Sequence, residues 1–228
     1  MNNYTIAQVK SICEASELPL GIPFIDERLD EYKEKYAGAY PYYPAFRDIT
    51  QALQPSVVLE IGTWQGTSAA CFAAGSENCM VMTIDHHSDP GDEANKVRTL
   101  EAVEMYGNIV YLQGCSTEEV TAQKQGTKCV LPDVKRLLSG RTIDILWVDG
   151  WHDGQYAKAD YDTYVPLMTD GGLIICDDLT GGDSSGHIGM LKFFNDLPGL
   201  PEDRFIDGRI HAGYPMGFIK YRKESNGL

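Results

Sequence analysis

Residues 57–67 read Val-Val-Leu-Glu-Ile-Gly-Thr-Trp-Gln-Gly-Thr, an apolar run that ends in an acid and breaks into Gly62-x-x-x-Gly66 before helix-forming residues resume. The pattern describes a buried strand, a glycine turn and a helix, the arrangement that brings backbone close to a nucleotide-sized ligand. The spacing narrows the ligand. Dinucleotide binding uses G-x-G-x-x-G, which seats a pyrophosphate on the helix N-terminus, and here Thr63 and Trp64 crowd that place. Glu60 instead sets a carboxylate at the carboxyl end of the strand, suited to a ligand with a cationic amine or sulfonium and no phosphate. Taken alone, the five-residue turn fits an ordinary strand-to-helix connection equally well.

Outward from this stretch, strand-like and helical patterns alternate as far as residue 180. Strands are expected at 57–61, 81–85, 109–113, 143–149 and 172–177, with a closing pair near 204–210 and 216–221. Helical composition falls at 67–74, 92–106, 130–138 and 156–167. The alternation predicts a single-domain α/β fold, a mostly parallel Rossmann-like sheet with helices on both faces and right-handed crossovers. Gly208, Gly213 and Pro215 favour a hairpin-like return, which puts the last strand antiparallel at an edge.

At 228 residues one domain suffices, with 51–228 as the ligand-binding domain and 1–50 as an N-terminal helical and aromatic segment. In that segment a charged helical pattern at 26–36 leads into Tyr36, Tyr40, Tyr42, Tyr43 and Phe46, interrupted by Pro41 and Pro44. Rings this dense can line a substrate pocket as a lid, form a subunit contact in a homo-oligomer, or cover the edge of the sheet. The net charge of −14, from 33 acids and 19 bases, repels phosphate backbones and argues against nucleic acid as a partner. The first 20 residues carry Lys10, Glu14 and Glu17, and no run of 18 apolar residues occurs, so the expected protein is soluble, cytoplasmic and away from membranes. Cys13, Cys71, Cys79, Cys115, Cys129 and Cys176 form no C-x-x-C pair and are expected to be reduced, buried and inert.

The acids at strand ends carry the chemistry. Asp85 closes an apolar run about 20 residues beyond the glycine turn, where a carboxylate can accept from both hydroxyls of a ribose or can cap the next helix. Ser116 can cap a helix with Glu119 as its box partner. Asp149 ends one expected strand, and Asp177 with Asp178 ends the next. Adjacent parallel strands lie ~4.8 Å apart, so the three carboxylates can converge. No lysine or arginine occurs between Lys158 and Lys192 to neutralise them, which makes a divalent cation the economical counter-ion. Three hard oxygen donors favour Mg²⁺ over Zn²⁺. Alternatively Asp177 and Asp178 cap the loop and Asp149 binds backbone amides. His152, three residues past Asp149, titrates near neutrality and suits a general base, against a structural or merely exposed role. His86, His87, His187 and His211 read first as structural.

The stretch Glu60-Ile-Gly-Thr-Trp-Gln-Gly-Thr-Ser-Ala resembles motif I of class I S-adenosylmethionine (SAM) methyltransferases, and most of all the catechol O-methyltransferase branch. Gly114-Cys115-Ser116 is similar to the Gly-Ala-Ser of those enzymes. Asp149-Gly-Trp-His152 with Asp177-Asp178 resembles metal-dependent O-methyltransferases of the catechol and macrolide-sugar types. The phrase Asp149-x-x-His152-x-x-x-Tyr156, then Asp160, Asp162, Pro166-Leu-Met and Gly171-Gly172, extends the likeness across residues 55–180. The resemblance implies Mg²⁺-dependent methyl transfer from SAM to a hydroxyl of a small molecule such as a sugar, polyketide or phenol. It implies cofactor contacts at Glu60, Gly62, Thr63, Trp64, Gly66, Thr67, Ser68, Asp85, His86, Ser116, Asp149 and Trp151, with Ser116 at the adenine. It implies a metal at Asp149, Asp177 and Asp178, and chemistry at His152 and Asp149. His152 stands where the catechol enzymes carry lysine and Asp178 where they carry asparagine, so catechol itself is not the implied acceptor. Metal-independent SAM transfer and SAM binding without turnover are the remaining alternatives.

Overall fold

The computed structural model describes residues 4–16, 20–36, 42–89, 91–123, 126–179, 189–208 and 215–223. Three helices come first, α1 (Ile6–Ala15), α2 (Pro23–Tyr36) and α3 (Tyr42–Leu53). The alternating part follows as β1 (Val57–Ile61), α4 (Thr67–Gly75), β2 (Met80–Asp85), α5 (Asp92–Met105) and β3 (Ile109–Gln113). It continues with α6 (Glu118–Gln123), α7 (Leu131–Leu138), β4 (Ile143–Val148), α8 (Gly154–Tyr164) and β5 (Met168–Cys176). The chain closes through α9 (Met190–Asp196), β6 (Arg204–Asp207) and β7 (Met216–Lys220). Among the described residues no helix is long and apolar enough to cross a membrane.

The seven strands form one sheet in the order β3-β2-β1-β4-β5-β7-β6. β1 to β5 pair in parallel, and β7 runs antiparallel to both β5 and β6. The last strand is therefore antiparallel, as its turn residues predict, but it is inserted beside β5 and leaves β6 at the edge. Interior strands are apolar on both faces because both are covered. Val58, Ile145 and Trp147 join one core cluster with α1, α3 and α4, while Leu59, Ile61, Leu146 and Val148 join another with α7, α8 and α9.

The N-terminal segment is part of the first core. Phe46 stacks on Phe72 at 4.4 Å and meets Trp147 edge-on at 4.9 Å, and Tyr43 packs against Phe46. Pro44 sits in the first turn of α3, where a missing N–H costs nothing. The side chains of Tyr36, Tyr40 and Tyr42 lie outside the described residues, as do His187 and His211.

Three local differences from expectation have simple causes. Helix α8 gives way to a 3-10 turn at Val165–Leu167 beside Pro166, and β5 starts at Met168, before Gly171 and Gly172. Helix α1 is closed by a capping box between Thr5 and Gln8. Helix α6 is capped by Thr117, whose Oγ1 accepts from the Val120 N–H at 3.1 Å, so Ser116 is not its cap. All six cysteines are free, five of them buried and Cys129 half-buried.

Candidate functional site

The candidate site lies at the carboxyl ends of β2, β1, β4 and β5, which are consecutive in the sheet. The glycine turn and the end of β4 touch directly. The Asp149 N–H donates to the Ile61 carbonyl at 2.9 Å. A Cβ on Gly62 would stand 1.8 Å from the Asp149 carbonyl oxygen, and Gly62 has a φ of +96°. The need for glycine here comes from the chain's own backbone, where the sequence pointed to a ligand's approach.

The predicted cofactor residues divide by where their side chains point. Glu60 is fully buried and accepts hydrogen bonds from the Ser68 and Thr83 hydroxyls, and Thr83 is joined to Thr63. Burial pushes the Glu60 carboxyl up to about 8 against the opposing pull of those two hydroxyls. Glu60 is therefore a neutral acid at pH 7 and not the charged strand-end group expected from the sequence. Thr63, Thr67, Ser68 and Ser116 are buried, while Gly62, Trp64, Asp85, His86 and Asp149 are partly exposed and Trp151 is exposed. Trp151 stacks on Tyr156 with ring centroids 4.6 Å apart.

Asp85 serves the turn. Its Oδ2 accepts from the Trp64 N–H at 2.8 Å and its Oδ1 from the His87 N–H at 3.1 Å. His87 is buried, with Nε2 at 2.7 Å from the Trp64 carbonyl and Nδ1 at 2.6 Å from the Tyr111 hydroxyl. A carbonyl only accepts, so Nε2 carries a proton. His86 instead groups with Asp89 and Asp92 near the surface. Ser116 has its hydroxyl on Asp160 and its carbonyl on the Tyr164 hydroxyl at 2.6 Å. Burial pushes the Asp160 carboxyl up to about 7, and its Oδ1 has no hydrogen-bond partner among the described residues.

β4 and β5 are hydrogen-bonded neighbours, and their ends bring Asp149, Asp177, Asp178 and His152 together. His152 Nδ1 lies 2.7 Å from Asp178 Oδ2 and its Nε2 lies 3.4 Å from Asp149 Oδ1. Burial raises the Asp149 and Asp177 carboxyls above the usual carboxylate range, and for Asp177 the charges of Asp149 and Asp178 add to the effect. Burial pulls His152 down, but hydrogen bonds and charge from Asp149 and Asp178 outweigh it and push the imidazole up to about 11. The local cation that the sequence lacked as lysine or arginine is His152 itself. Among the described residues, the three acidic or histidine side chains whose ligand atoms all lie within 4.8 Å of one another are His86, Asp89 and Asp92, so the Asp149 cluster is more open than that.

Three non-glycine residues in left-handed backbone mark the site, Trp64 with φ 47° after β1, His87 with φ 39° after β2 and Asp178 with φ 54° after β5. Such a conformation costs roughly 1–3 kcal/mol for a non-glycine residue and persists where the surroundings hold it.

Residues 59–179 match the profile of a family described as a methyltransferase domain. The uncharacterized protein R132 of Acanthamoeba polyphaga mimivirus is 27% identical over 121 residues, 53% of this chain and 50% of that protein. The chain thus spans half the length of this curated relative. Among solved structures, the O-methyltransferase from Bacillus cereus in complex with SAH is 16% identical, with 94% of this chain and 97% of that one covered at a TM-score of 0.60. TomG from Streptomyces achromogenes, an O-methyltransferase involved in tomaymycin synthesis and solved with SAM, is 16% identical, with 96% and 97% covered at a TM-score of 0.58. At these identities the likeness is one of fold.

Proposed function

The chain belongs to the methyltransferase-domain family, and from that premise we propose that it transfers a methyl group from SAM to a hydroxyl of a small molecule. The observation that carries the proposal is the contact of the glycine turn with the end of β4, which sets a cofactor turn and an acid cluster side by side. We read Asp85, at the end of the neighbouring strand, as the ribose acid and Ser116, after β3, as the adenine contact. SAM and SAH in the solved neighbours support the choice of cofactor. The acceptor is a small hydroxylated molecule in a cytoplasmic setting, and the strongly acidic chain disfavours nucleic acid.

The reaction is an in-line displacement. The acceptor oxygen bonds the methyl carbon, the carbon–sulfur bond breaks, its electron pair stays on sulfur and the hydroxyl proton leaves. Positioning and electrostatics supply most of the rate in such a step. Asp149, Asp177 and Asp178 would hold a divalent cation, with Mg²⁺ the ion their hard oxygens suit. The residues fit by donor chemistry and by excess negative charge, since ionising all three sets three negative charges against the His152 imidazole. When bound, such an ion would lower the pKa of the acceptor hydroxyl. His152 accepts a proton only as the neutral ring. Between two carboxylates it is a cation at pH 7, so it serves as base when other positive charge takes up Asp149 and Asp178.

A second reading, metal-independent transfer, is favoured by the same contact, because His152 already neutralises part of the acid cluster. Turnover of labelled SAM with a panel of hydroxylated acceptors, in EDTA and in Mg²⁺, separates the readings. Loss in EDTA with recovery in Mg²⁺ is the expected result. Full activity in EDTA selects the metal-independent reading, and SAM binding without turnover of any acceptor selects a binding protein. Calorimetric binding of NAD in place of SAM would overturn the proposal at its root.

A further inference from the structure

We propose that Arg28 is a positioning residue through which helix α2 holds the conformation of the glycine turn, an inference that rests on reading that turn as the SAM site. Trp64 has φ 47° and needs outside support. Its N–H is held by Asp85, and its carbonyl accepts from His87 and from Thr99 Oγ1 at 3.1 Å. The next carbonyl, that of Gln65, accepts from the Arg28 guanidinium at 2.6 Å. The same guanidinium donates to the Arg98 carbonyl at 2.8 Å and to Glu101 Oε2 at 3.0 Å, and lies 4.2 Å from the centre of the Phe24 ring. Its side chain is 6% exposed.

One buried cation therefore joins α2, the turn and α5. A planar guanidinium with five donors can span carbonyls 33 residues apart in sequence, which a lysine ammonium on a flexible stem cannot do in the same geometry. Glu101 is exposed, so its ion pair with Arg28 is screened by solvent. The cost of ordering the turn is met before the cofactor arrives, which is the means by which pre-organisation raises affinity.

The experiment compares the full chain with Arg28→Met, Arg28→Lys and Glu101→Gln, measuring SAH affinity by calorimetry, KM for each substrate, and amide exchange at Gln65 and Gly66. Arg28→Met is expected to weaken SAH by about 10- to 100-fold and to speed that exchange, as loss of a hydrogen bond to a charged group does. Turnover at saturating SAM and the KM of the acceptor should stay within about twofold. Arg28→Lys should recover part of the affinity, and Glu101→Gln, which leaves the Gln65 contact intact, should bind SAH within about twofold of wild type. A folded Arg28→Met protein with wild-type affinity and exchange overturns the proposal. So does an equal loss in Glu101→Gln, which would make Arg28 a general clasp between helices. Should Arg28→Met fail to fold, unchanged affinity and exchange in Arg28→Lys overturn it. Failure of the wild-type chain to bind SAH would instead remove the SAM reading, and the exchange of Gln65 and Gly66 would still report on Arg28.

Discussion

The two halves of the sheet's carboxyl end are built on opposite principles. Around β1 and β2 the polar groups answer one another: Asp85 takes two backbone N–H groups, His87 bridges a carbonyl and a hydroxyl, and Glu60 is neutral between two hydroxyls. Around β4 and β5 the carboxyls of Asp149, Asp177 and Asp178 crowd the His152 imidazole, and burial raises two of them above the usual carboxylate range. A satisfied network is stiff and suits a cofactor that must be held in one pose. A crowded acid cluster gains by taking up positive charge, which suits the place where a proton is moved or a cation is held.

The largest test of this contrast is His152→Ala. Turnover should fall by roughly 10²–10⁴-fold at neutral pH while SAM affinity changes little, because the ring belongs to the acid half. The imidazole must be neutral to accept a proton, so the rate should rise with pH. In chelated protein the midpoint of the imidazole's own titration should lie far on the alkaline side, at about 11, and added Mg²⁺ should bring it down. The linkage has the matching sign: a folded-state value raised above the usual 6.5 stabilises fully below that pH and is lost as pH rises towards about 11. A stable, fully active His152→Ala enzyme would leave the ring a packing role beside Trp151, and NMR titration of the imidazole checks the midpoint directly.

In the satisfied half the expected effects are smaller and fall on binding. Asp85→Ala should weaken SAM by about 1–3 kcal/mol, through loss of ribose contacts and of the bond to the Trp64 N–H. Calorimetry that finds the same affinity removes Asp85 from the site and, with it, the contrast. Glu60→Gln should change least at about pH 4, by less than about 1 kcal/mol of stability, since glutamine has the size and neutrality of the protonated acid. The difference emerges with pH. A buried acid raised from 4.5 to about 8 favours the folded state fully below 4.5 and loses that contribution as pH rises through 8. Wild-type stability should therefore decline towards pH 8 relative to Glu60→Gln, and denaturant melts at several pH values measure it.

Much of the scaffold is legible in local pattern. Apolar runs at 57–61, 109–113 and 143–148 are strands, and the glycine turn and the acids Asp85, Asp149 and Asp177 fall at strand ends because a buried parallel strand stays apolar until it leaves the core. The start of helix α1 is also written locally, in the capping pair of Thr5 and Gln8. The choice between Ser116 and Thr117 as cap of α6 was not readable. Both carry a hydroxyl, and Ser116 is taken by Asp160 and Tyr164 from a helix more than forty residues away. The edge position of β6 was equally out of reach, because either strand of a hairpin can lie beside β5.

The sequence by itself determined the α/β alternation, the strand–turn–helix at 57–75 and the collection of acids at the carboxyl ends of neighbouring strands, because each depends on the local order of apolar, glycine and acidic residues. Tertiary structure alone decided what those acids are. Glu60 became a neutral hydrogen-bonding group, His152 became the cation between Asp149 and Asp178, and Arg28 came to lie on the turn from 37 residues away. Charge state and partnership are set by desolvation and by neighbours that the fold brings in, and neither is written in the spacing of residues along the chain.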